Sequence, residues 1–320
     1  MTSPSLTHSR LCADYWGEYM DQAEKLRNII KQNNETLSTR PLARVITVTS
    51  GKGGVGKSNA AINLAIQFRK MGQRVIILDA DFGLANIEIM FGTVPKHNLC
   101  DLIYQGKNIK DIITWGPNDV GFISGGSGIS GMYNLSREYL EYIIVNLAEL
   151  DAIADTIIVD TGAGIGGAVL EFLVASGEIL LVMTPEPTSI TDSYSLLKAL
   201  RQSPRFLDEN TVIKVLANRV ASDADGQALF NKLNPVVAKY LKLPISYLGA
   251  IPYDPQLEKS VMQQTPVSIQ YPNARSTRAF EEIARRLNGN TAGVPEVKKR
   301  GMAAFFSHII TGRKLDEASA

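Results

Sequence analysis

The stretch that decides the fold is SGKGGVGKS, at Ser50–Ser58. It follows an apolar, β-branched run at Val45–Val48 and precedes an Ala- and Leu-rich amphipathic stretch at Asn59–Lys70. This order predicts a strand, a glycine-rich loop and a helix. Glycines let backbone N–H groups converge on one point, and the N-terminus of the helix adds partial positive charge. The stretch therefore predicts a cradle for the phosphates of a nucleotide.

Two side chains at the end of this loop carry specific chemistry. In the frame Gly-x-x-x-x-Gly-Lys-Ser, Lys57 is expected to pair with the β- and γ-phosphates and Ser58 to ligate Mg²⁺. The alternative is a glycine-rich turn carrying two solvated lysines. The residues predicted to contact ATP in this region are Gly51, Lys52, Gly53, Gly54, Val55, Gly56, Lys57, Ser58 and Asn59.

A second lysine lies inside the loop, at Lys52. The pattern Lys-Gly-Gly-x-Gly-Lys-Ser resembles the deviant phosphate loop of the MinD/ParA class of ATPases. In that class the additional lysine reaches the nucleotide of the facing subunit. The resemblance therefore implies an ATP-dependent homodimer with two ATP molecules at its interface, and it gives Lys52 and Lys57 catalytic roles in neutralising phosphate charge.

Acidic residues follow two further predicted strands. Asp79 and Asp81 come after the apolar run Arg74–Leu78, and Asp160 comes after Thr156–Val159. Carboxylates at the C-terminal ends of parallel strands project toward the ligand crevice of a doubly wound sheet, although a solvated strand-end turn is the alternative. The resemblance makes Asp81 the group that orients or deprotonates the attacking water. It makes Asp160 a holder of Mg²⁺, directly or through water, and Asp79 a support of the Mg²⁺ shell.

The second half of the chain continues the alternation of strands and helices. Six or seven strands spread over residues 42–288 predict one doubly wound, mostly parallel sheet in a single ATPase domain. In the MinD/ParA class, the asparagine that follows a late strand hydrogen-bonds the adenine edge. The resemblance carries this role to Asn218, and it places Arg219 and Pro252 beside the base.

Residues 1–41 are predicted to be an N-terminal extension with a short helix at 20–33. The motif Asp-Gln-Ala-x-x-Leu-Arg resembles the N-terminus of flagellar MinD-like ATPases, where it binds and stimulates the signal-recognition-type GTPase FlhF. The alternative is a helix that packs on its own domain. The residues predicted to contact this partner are Asp21, Gln22, Ala23, Leu26 and Arg27.

Residues 289–320 are predicted to form a linker and an amphipathic helix at 297–311. Basic residues flank a face with helical spacing, which suits the surface of an anionic membrane. The alternative is a helix docked in a groove of its own domain, and both can hold in turn, docked without ATP and released with it. The residues predicted to enter the membrane are Met302, Phe305, Phe306, Ile309 and Ile310.

Composition limits the other readings of this chain. With 33 basic and 32 acidic residues there is no global signature of polyanion binding, so no specific nucleic-acid partner is expected. Cys12 and Cys100 lie in no metal-type spacing, which fits a reducing compartment. The first residues include Pro, His, Asp and Glu where a signal sequence would need an apolar core, and there is no apolar run of spanning length, so we expect a protein that is neither secreted nor membrane-spanning. The expected location is the cytoplasm, peripherally on the cytoplasmic face of the inner membrane.

Together these features predict a Mg²⁺-dependent ATPase, and the resemblance to the flagellar MinD-like ATPases implies that it regulates flagellar number and placement. The partners that the resemblance implies are FlhF, components of the flagellar C-ring, the membrane surface and a second copy of the chain. A septum-site MinD and a ParA-type DNA partition ATPase are the alternatives. The motif at Asp21–Arg27 favours the flagellar reading over the first, and the apolar tail favours lipid over DNA.

Overall fold

The computed structural model describes residues 42–81, 86–125, 144–289 and 301–317, without the side chains at 103, 104, 208 and 310–317. The FlhF-binding motif predicted at Asp21–Arg27 lies outside the described residues. The strands are β1 (Arg44–Ser50), β2 (Val75–Ala80), β3 (Thr114–Trp115), β4 (Gly121–Ser124), β5 (Thr156–Ala163), β6 (Glu178–Met183), β7 (Val212–Val220) and β8 (Ile245–Pro252).

Helices connect most of these strands. They are α1 (Lys57–Lys70), α2 (Asn86–Phe91), α3 (Leu99–Gln105), α4 (Ile109–Ile112), α5 (Leu150–Ile153), α6 (Gly167–Ala175), α7 (Pro187–Gln202), α8 (Asp223–Val236), α9 (Pro255–Met262), α10 (Val267–Gln270), α11 (Arg275–Asn288) and α12 (Gly301–Glu317). Short 3₁₀ turns lie at Pro117–Asp119 and Asp208–Asn210, and α8 continues into a π-helical turn at Val237–Leu241.

The described residues form one eight-stranded sheet in the order β3-β4-β2-β5-β1-β6-β7-β8. Every pairing is parallel except that of β3 with β4. The sequence predicted six or seven strands and missed β3. Its two residues pair only at the sheet edge, which is too short a run to leave a period-2 pattern in the sequence.

Both faces of the sheet are covered, which explains why its central strands are apolar throughout. Along β5, Ile158 belongs to the core beneath α1 and α11, whereas Ile157 and Val159 belong to the core on the opposite face. Phe68 of α1 and Phe280 of α11 fill the first core. The helices α6, α7 and α8 cover the β6–β7 end of the second face.

The C-terminal helix α12 covers the other part of the second face. The rings of Phe305 and Phe306 pack 6.0 and 6.4 Å from the ring of Phe172 on α6, and both are 1% exposed. Met302 and Ile309 are buried in the same core. Four of the five residues predicted to enter a membrane are therefore docked on their own domain in this structure, and the side chain of Ile310 lies outside the described residues.

This arrangement is the docked alternative that the sequence left open. The predicted helix start at residue 297 lies outside the described residues, and the helix continues past the predicted end at 311 to Glu317. None of the described helices combines the length and the apolar composition that a bilayer crossing requires.

Candidate nucleotide-binding site

The loop between β1 and α1 has the backbone of an open cradle. Gly54 and Gly56 adopt φ values of +76° and +99°, which residues other than glycine rarely adopt. A Cβ atom at Gly53 or Gly54 would meet no atom within 4 Å, so nothing in the described part of the protein fills the space above the loop. The first turn of α1 carries no acidic residue. Its N–H groups and dipole are thus available to an anion.

Neighbouring elements hold the base of the loop tightly. A Cβ atom at Gly51 would lie 2.2 Å from the backbone carbon of Asp192 on α7, and one at Gly56 would lie 2.3 Å from Nδ2 of Asn218. The Ser50 hydroxyl donates to the carbonyl oxygen of Lys52 at 2.7 Å. The backbone of Asp192 therefore leaves room only for glycine at residue 51, and at residue 56 the positive φ favours glycine as well.

Asn218 lies beneath the loop between β1 and α1. Its Nδ2 donates to the carbonyl oxygen of Val55 at 2.7 Å, and its Oδ1 accepts the N–H of Arg219 at 2.9 Å. Arg219 itself has φ +58° and an exposed side chain, and Pro252 pairs in register with Val220 on the adjacent strand. The structure thus brings the three predicted base-contacting residues together. Their contact with adenine stays a prediction.

The carboxylates of two adjacent strands meet beside the cradle. Asp79 on β2 and Asp160 on β5 occupy paired register positions. Burial raises the pKa of Asp160 to about 7, and the neighbouring Ser58 hydroxyl and Lys57 ammonium oppose that shift. Burial, followed by the charge of Asp160, raises the pKa of Asp79 to about 8. The charge of Asp160 thus makes Asp79 harder to ionise, and the charge of Asp81 has the same effect on Asp160.

Asp160 is the clearest candidate for a cation ligand. Its side chain is 0% exposed, and neither carboxylate oxygen has a hydrogen-bond partner of ordinary geometry within the described protein. A fully buried carboxylate without partners is costly unless a cation or a proton compensates its charge. Oxygen ligands from one carboxylate and the Ser58 hydroxyl, next to a phosphate cradle, fit the preference of Mg²⁺. These residues therefore fit the ion that the sequence predicted.

Asp81 follows β2 directly and is only half-buried. Its Oδ2 accepts a hydrogen bond from Nδ2 of Asn86 at 3.1 Å, and its N–H donates to Oδ1 of Asp79 at 3.1 Å. Burial raises the pKa of Asp81, while the charge of Lys57 and the Asn86 hydrogen bond lower it. A Cβ atom at Gly162 would lie 3.3 Å from Oδ1 of Asp81, so the end of β5 closes one side of this carboxylate.

Asn86→Ala is expected to slow hydrolysis about tenfold, because Asp81 loses the donor that favours its ionised form. The pKa of Asp81 rises further in the variant, so the acid limb of the kcat–pH profile moves to higher pH. Asn86→Asp should move the acid limb to still higher pH, because a carboxylate in place of the amide donor raises the pKa of Asp81 further. Steady-state hydrolysis across pH 5–9, with nucleotide affinity as the control, checks this. An unchanged acid limb would contradict the role assigned to Asn86.

Lys52 points away from its own cradle. Its Nζ contacts the Glu186 carboxylate and donates to Oγ1 of Thr188 at 2.9 Å. The Lys52 ammonium lowers the pKa of Glu186, which lies at the surface with Arg219 nearby. The ammonium is thus held at the outer edge of the site, where a facing molecule could reach it.

Sequence reasoning missed two contributors to this site, Asn86 and Glu186, and it placed Gly162 in a glycine-rich segment near the phosphates without predicting its contact with Asp81. Glu186 follows the C-terminal end of β6, so the rule of strand-end carboxylates could have found it. Asn86 and Gly162 carry no such signal, because their contacts with Asp81 depend on how α2 and β5 pack.

These geometric features agree with comparisons against known proteins. Residues 46–267 match the family described as the CobQ/CobB/MinD/ParA nucleotide binding domain. The chain belongs to this family. The resemblance to the MinD/ParA class that the loop predicted is thereby confirmed, and binding of a nucleotide is the property that the family shares.

Two curated relatives in the MinD/ParA family bear flagellar names. The antiactivator FleN of Pseudomonas aeruginosa is 39% identical over 245 residues, covering 77% of this chain and 86% of FleN. The flagellum site-determining protein YlxH of Helicobacter pylori is 32% identical over 295 residues, covering 91% of this chain and 98% of YlxH. The predicted likeness to the flagellar members is therefore confirmed.

Solved structures confirm the predicted fold class. The septum site-determining protein MinD of Pyrococcus horikoshii, solved as a complex with Mg-ADP, superposes with a TM-score of 0.60 at 22% identity. The match covers 79% of this chain and 98% of that MinD. At this identity the likeness shows the doubly wound MinD/ParA fold alone.

Proposed function

We propose that this protein is a Mg²⁺-dependent ATPase whose ATP-bound form pairs with a second copy and binds an anionic membrane surface through α12. The observation that carries the enzymatic part is the fully buried Asp160 carboxylate, whose oxygens have no hydrogen bond of ordinary geometry among the described residues, beside an open glycine cradle. The flagellar names of FleN and YlxH support regulation of flagellar number or placement as its biological role.

In the proposed reaction, the loop N–H groups and Lys57 bind the phosphates and neutralise the charge that develops on them. Ser58 and Asp160 hold Mg²⁺, which, when bound, polarises the phosphoryl oxygens. Asp79 supports this arrangement from the next strand. Asp81, at the half-buried edge of the site, orients the attacking water and receives its proton. Lys52 acts on the nucleotide of the second copy.

The tail supplies the proposed membrane contact. The apolar face of α12 is buried on its own domain in this structure, so lipid binding requires that the helix undock. A single amphipathic helix binds reversibly, whereas two helices on one dimer make the second contact intramolecular and raise avidity by about 10²–10⁴-fold. Pairing through ATP would then convert nucleotide state into membrane occupancy.

The proposed partners follow from the resemblance. We propose that residues 20–33 bind the GTPase FlhF through the motif at Asp21–Arg27, and that the ATPase domain meets proteins of the flagellar C-ring. A septum-site role, the alternative that the sequence analysis left open, is the second candidate. Capture of FlhF by the full chain, compared with a Gln22→Ala variant, separates the two.

Asp81→Ala tests the proposed cycle as a whole. We expect hydrolysis to fall by at least about 10²-fold, the usual contribution of a positioned acid or base, while ATP binding is retained. With ATP and Mg²⁺ the variant should therefore stay dimeric and co-sediment with vesicles of acidic phospholipid. Phosphate release, light scattering and sedimentation measure the three steps.

The wild-type protein provides the control, sedimented with ATP and with ADP. Equal recovery on the vesicles in both states would overturn nucleotide-controlled membrane binding. Undiminished hydrolysis by Asp81→Ala would instead remove Asp81 from the chemistry and leave the membrane proposal intact.

A further inference from the structure

The N-terminal entry to the sheet and the start of the C-terminal helix meet at one carboxylate. Asp151 of α5 is 2% exposed. Its Oδ1 accepts the N–H of Ala43, which directly precedes β1, at 3.2 Å. Its Oδ1 and Oδ2 also accept the N–H of Met302, the second residue of α12, at 3.1 and 3.2 Å. One buried side chain thus joins the chain just ahead of β1 to the start of α12.

The chain at this point is shaped to admit the contact. Gly301 has φ +68°, a conformation that favours glycine. A Cβ atom there would lie 2.5 Å from Oδ2 of Asp151 and 2.9 Å from Cδ2 of Leu42. Leu42, Gly301 and Asp151 therefore lie in mutual contact range. A side chain at residue 301 would push the helix start away from both neighbours.

The contact also determines where the apolar face of α12 lies. Met302 is 0% exposed and is the first residue of that face to enter the core. Phe305 and Phe306 follow one turn later against Phe172. Because Asp151 accepts the N–H of Met302 in the first turn, it holds the start of the helix in the position where this face meets the core.

We propose that Asp151 is a clasp that couples docking of the C-terminal helix to the position of the chain just ahead of β1. When α12 undocks, Asp151 loses one of its two donors and the entry at Leu42 and Ala43 loosens. By linkage, a molecule that binds the residues ahead of Leu42 and displaces Ala43 also favours release of α12. The factor by which it favours release equals the factor by which release strengthens its own binding. The clasp is independent of the proposed function, and only its consequence for membrane binding rests on it.

Hydrogen exchange of the full chain with Mg²⁺ and ADP tests the clasp. Asp151→Asn keeps the shape of the side chain but loses its charge and one acceptor oxygen, and Gly301→Ala pushes at the same contact from the opposite side. We expect both variants to raise the exchange rate of the amides at 302–309 and of Ala43 by at least about tenfold, as for loss of one charge-assisted hydrogen bond.

The matched control is Asp155→Asn, four residues further along. Asp155 pairs with Arg74 at the protein surface at 2.7 Å. Its substitution should therefore change neither the exchange of the amides at 302–309 nor that of the Ala43 amide. Unchanged exchange at 302–309 in both Asp151→Asn and Gly301→Ala would overturn the clasp. Far-ultraviolet circular dichroism of each variant verifies that the domain is folded.

Phe306→Ala tests the coupling itself, because it weakens docking at a point away from the carboxylate. If docking of α12 is coupled to the chain just ahead of β1, exchange of the Ala43 amide rises together with that of residues 302–309. If only 302–309 respond, the coupling is refuted. Vesicle sedimentation of Asp151→Asn with ADP separates this inference from the proposed function. Faster exchange without vesicle binding would keep the clasp and remove the membrane role.

Discussion

Asp160→Asn is expected to abolish Mg²⁺-dependent hydrolysis and, at the same time, to make the metal-free protein more stable. Loss of the buried ligand removes several kcal/mol of charge stabilisation, which lowers kcat by at least about 10²-fold. The stability change has the opposite sign because Asp160 is fully buried, its oxygens have no hydrogen bond of ordinary geometry among the described residues, and the Ser58 hydroxyl offsets only part of the cost of burial. A neutral amide of the same shape avoids the cost of burying that charge.

The pH dependence of stability follows from the same burial. The pKa of Asp160 rises from 3.8 to about 7 in the folded protein, and that of Asp79 rises to about 8. Between about pH 4 and these values the folded chain binds more protons than the unfolded chain, so the free energy of unfolding falls as pH rises. In the proposed site Mg²⁺ displaces the proton of Asp160, so we expect Mg²⁺ binding to strengthen over the same pH range.

Thermal unfolding in the presence of EDTA, measured from pH 5 to pH 8, checks the stability prediction. The Tm of the wild type should fall as pH rises, and the Tm of Asp160→Asn should fall less steeply. Asp119→Asn is the matched control, because Asp119 is exposed and its φ of +54° suits asparagine equally well. A lower Tm for Asp160→Asn at pH 8, or retained hydrolysis, would contradict the role given to this carboxylate.

Lys52→Ala is the second substitution with a large expected effect. We expect it to eliminate ATP-dependent pairing and to lower hydrolysis by about 10²–10³-fold, the usual cost of losing one preorganised donor to a developing charge. Affinity for ADP should not change, because Nζ of Lys52 contacts Glu186 and Thr188 rather than its own cradle. Light scattering with a non-hydrolysable ATP analogue and calorimetric titration of ADP measure the two properties.

Two comparison variants sharpen this test. Lys57→Ala should lose affinity for ADP and ATP alike, since that lysine belongs to the cradle of its own subunit. Glu186→Gln removes the surface partner of Lys52 and should leave pairing intact or strengthen it. If Lys52→Ala weakens ADP binding as much as Lys57→Ala does, Lys52 contacts the nucleotide of its own subunit. The proposal that it acts on the nucleotide of the second copy would then be wrong.

Much of this fold could be predicted because its signals are local. The glycines and Lys57 lie within nine consecutive residues, and the apolar runs of β1, β2 and β5 are continuous because both faces of the sheet are covered. Asp79, Asp81 and Asp160 could be placed near one another, since the C-terminal ends of parallel strands share one edge of the sheet.

The tertiary structure decided the partners of these groups. The amide of Asn218 reaches Val55 across 163 positions of sequence, and the ammonium of Lys52 reaches Glu186 across 134. Neither contact follows from propensity or periodicity, which describe only neighbouring residues. The amphipathic pattern of the tail likewise predicted an apolar face, but it could not show which surface that face packs against.

The sequence by itself determined a phosphate cradle, an ordered set of strands and a helix with one apolar face. Only the tertiary structure decided that this face packs against Phe172 and that Asp151 holds the helix start beside Ala43. The physical reason is that a hydrophobic stripe gains free energy from any apolar surface that removes it from water. Its actual site depends on which surface the rest of the fold leaves uncovered.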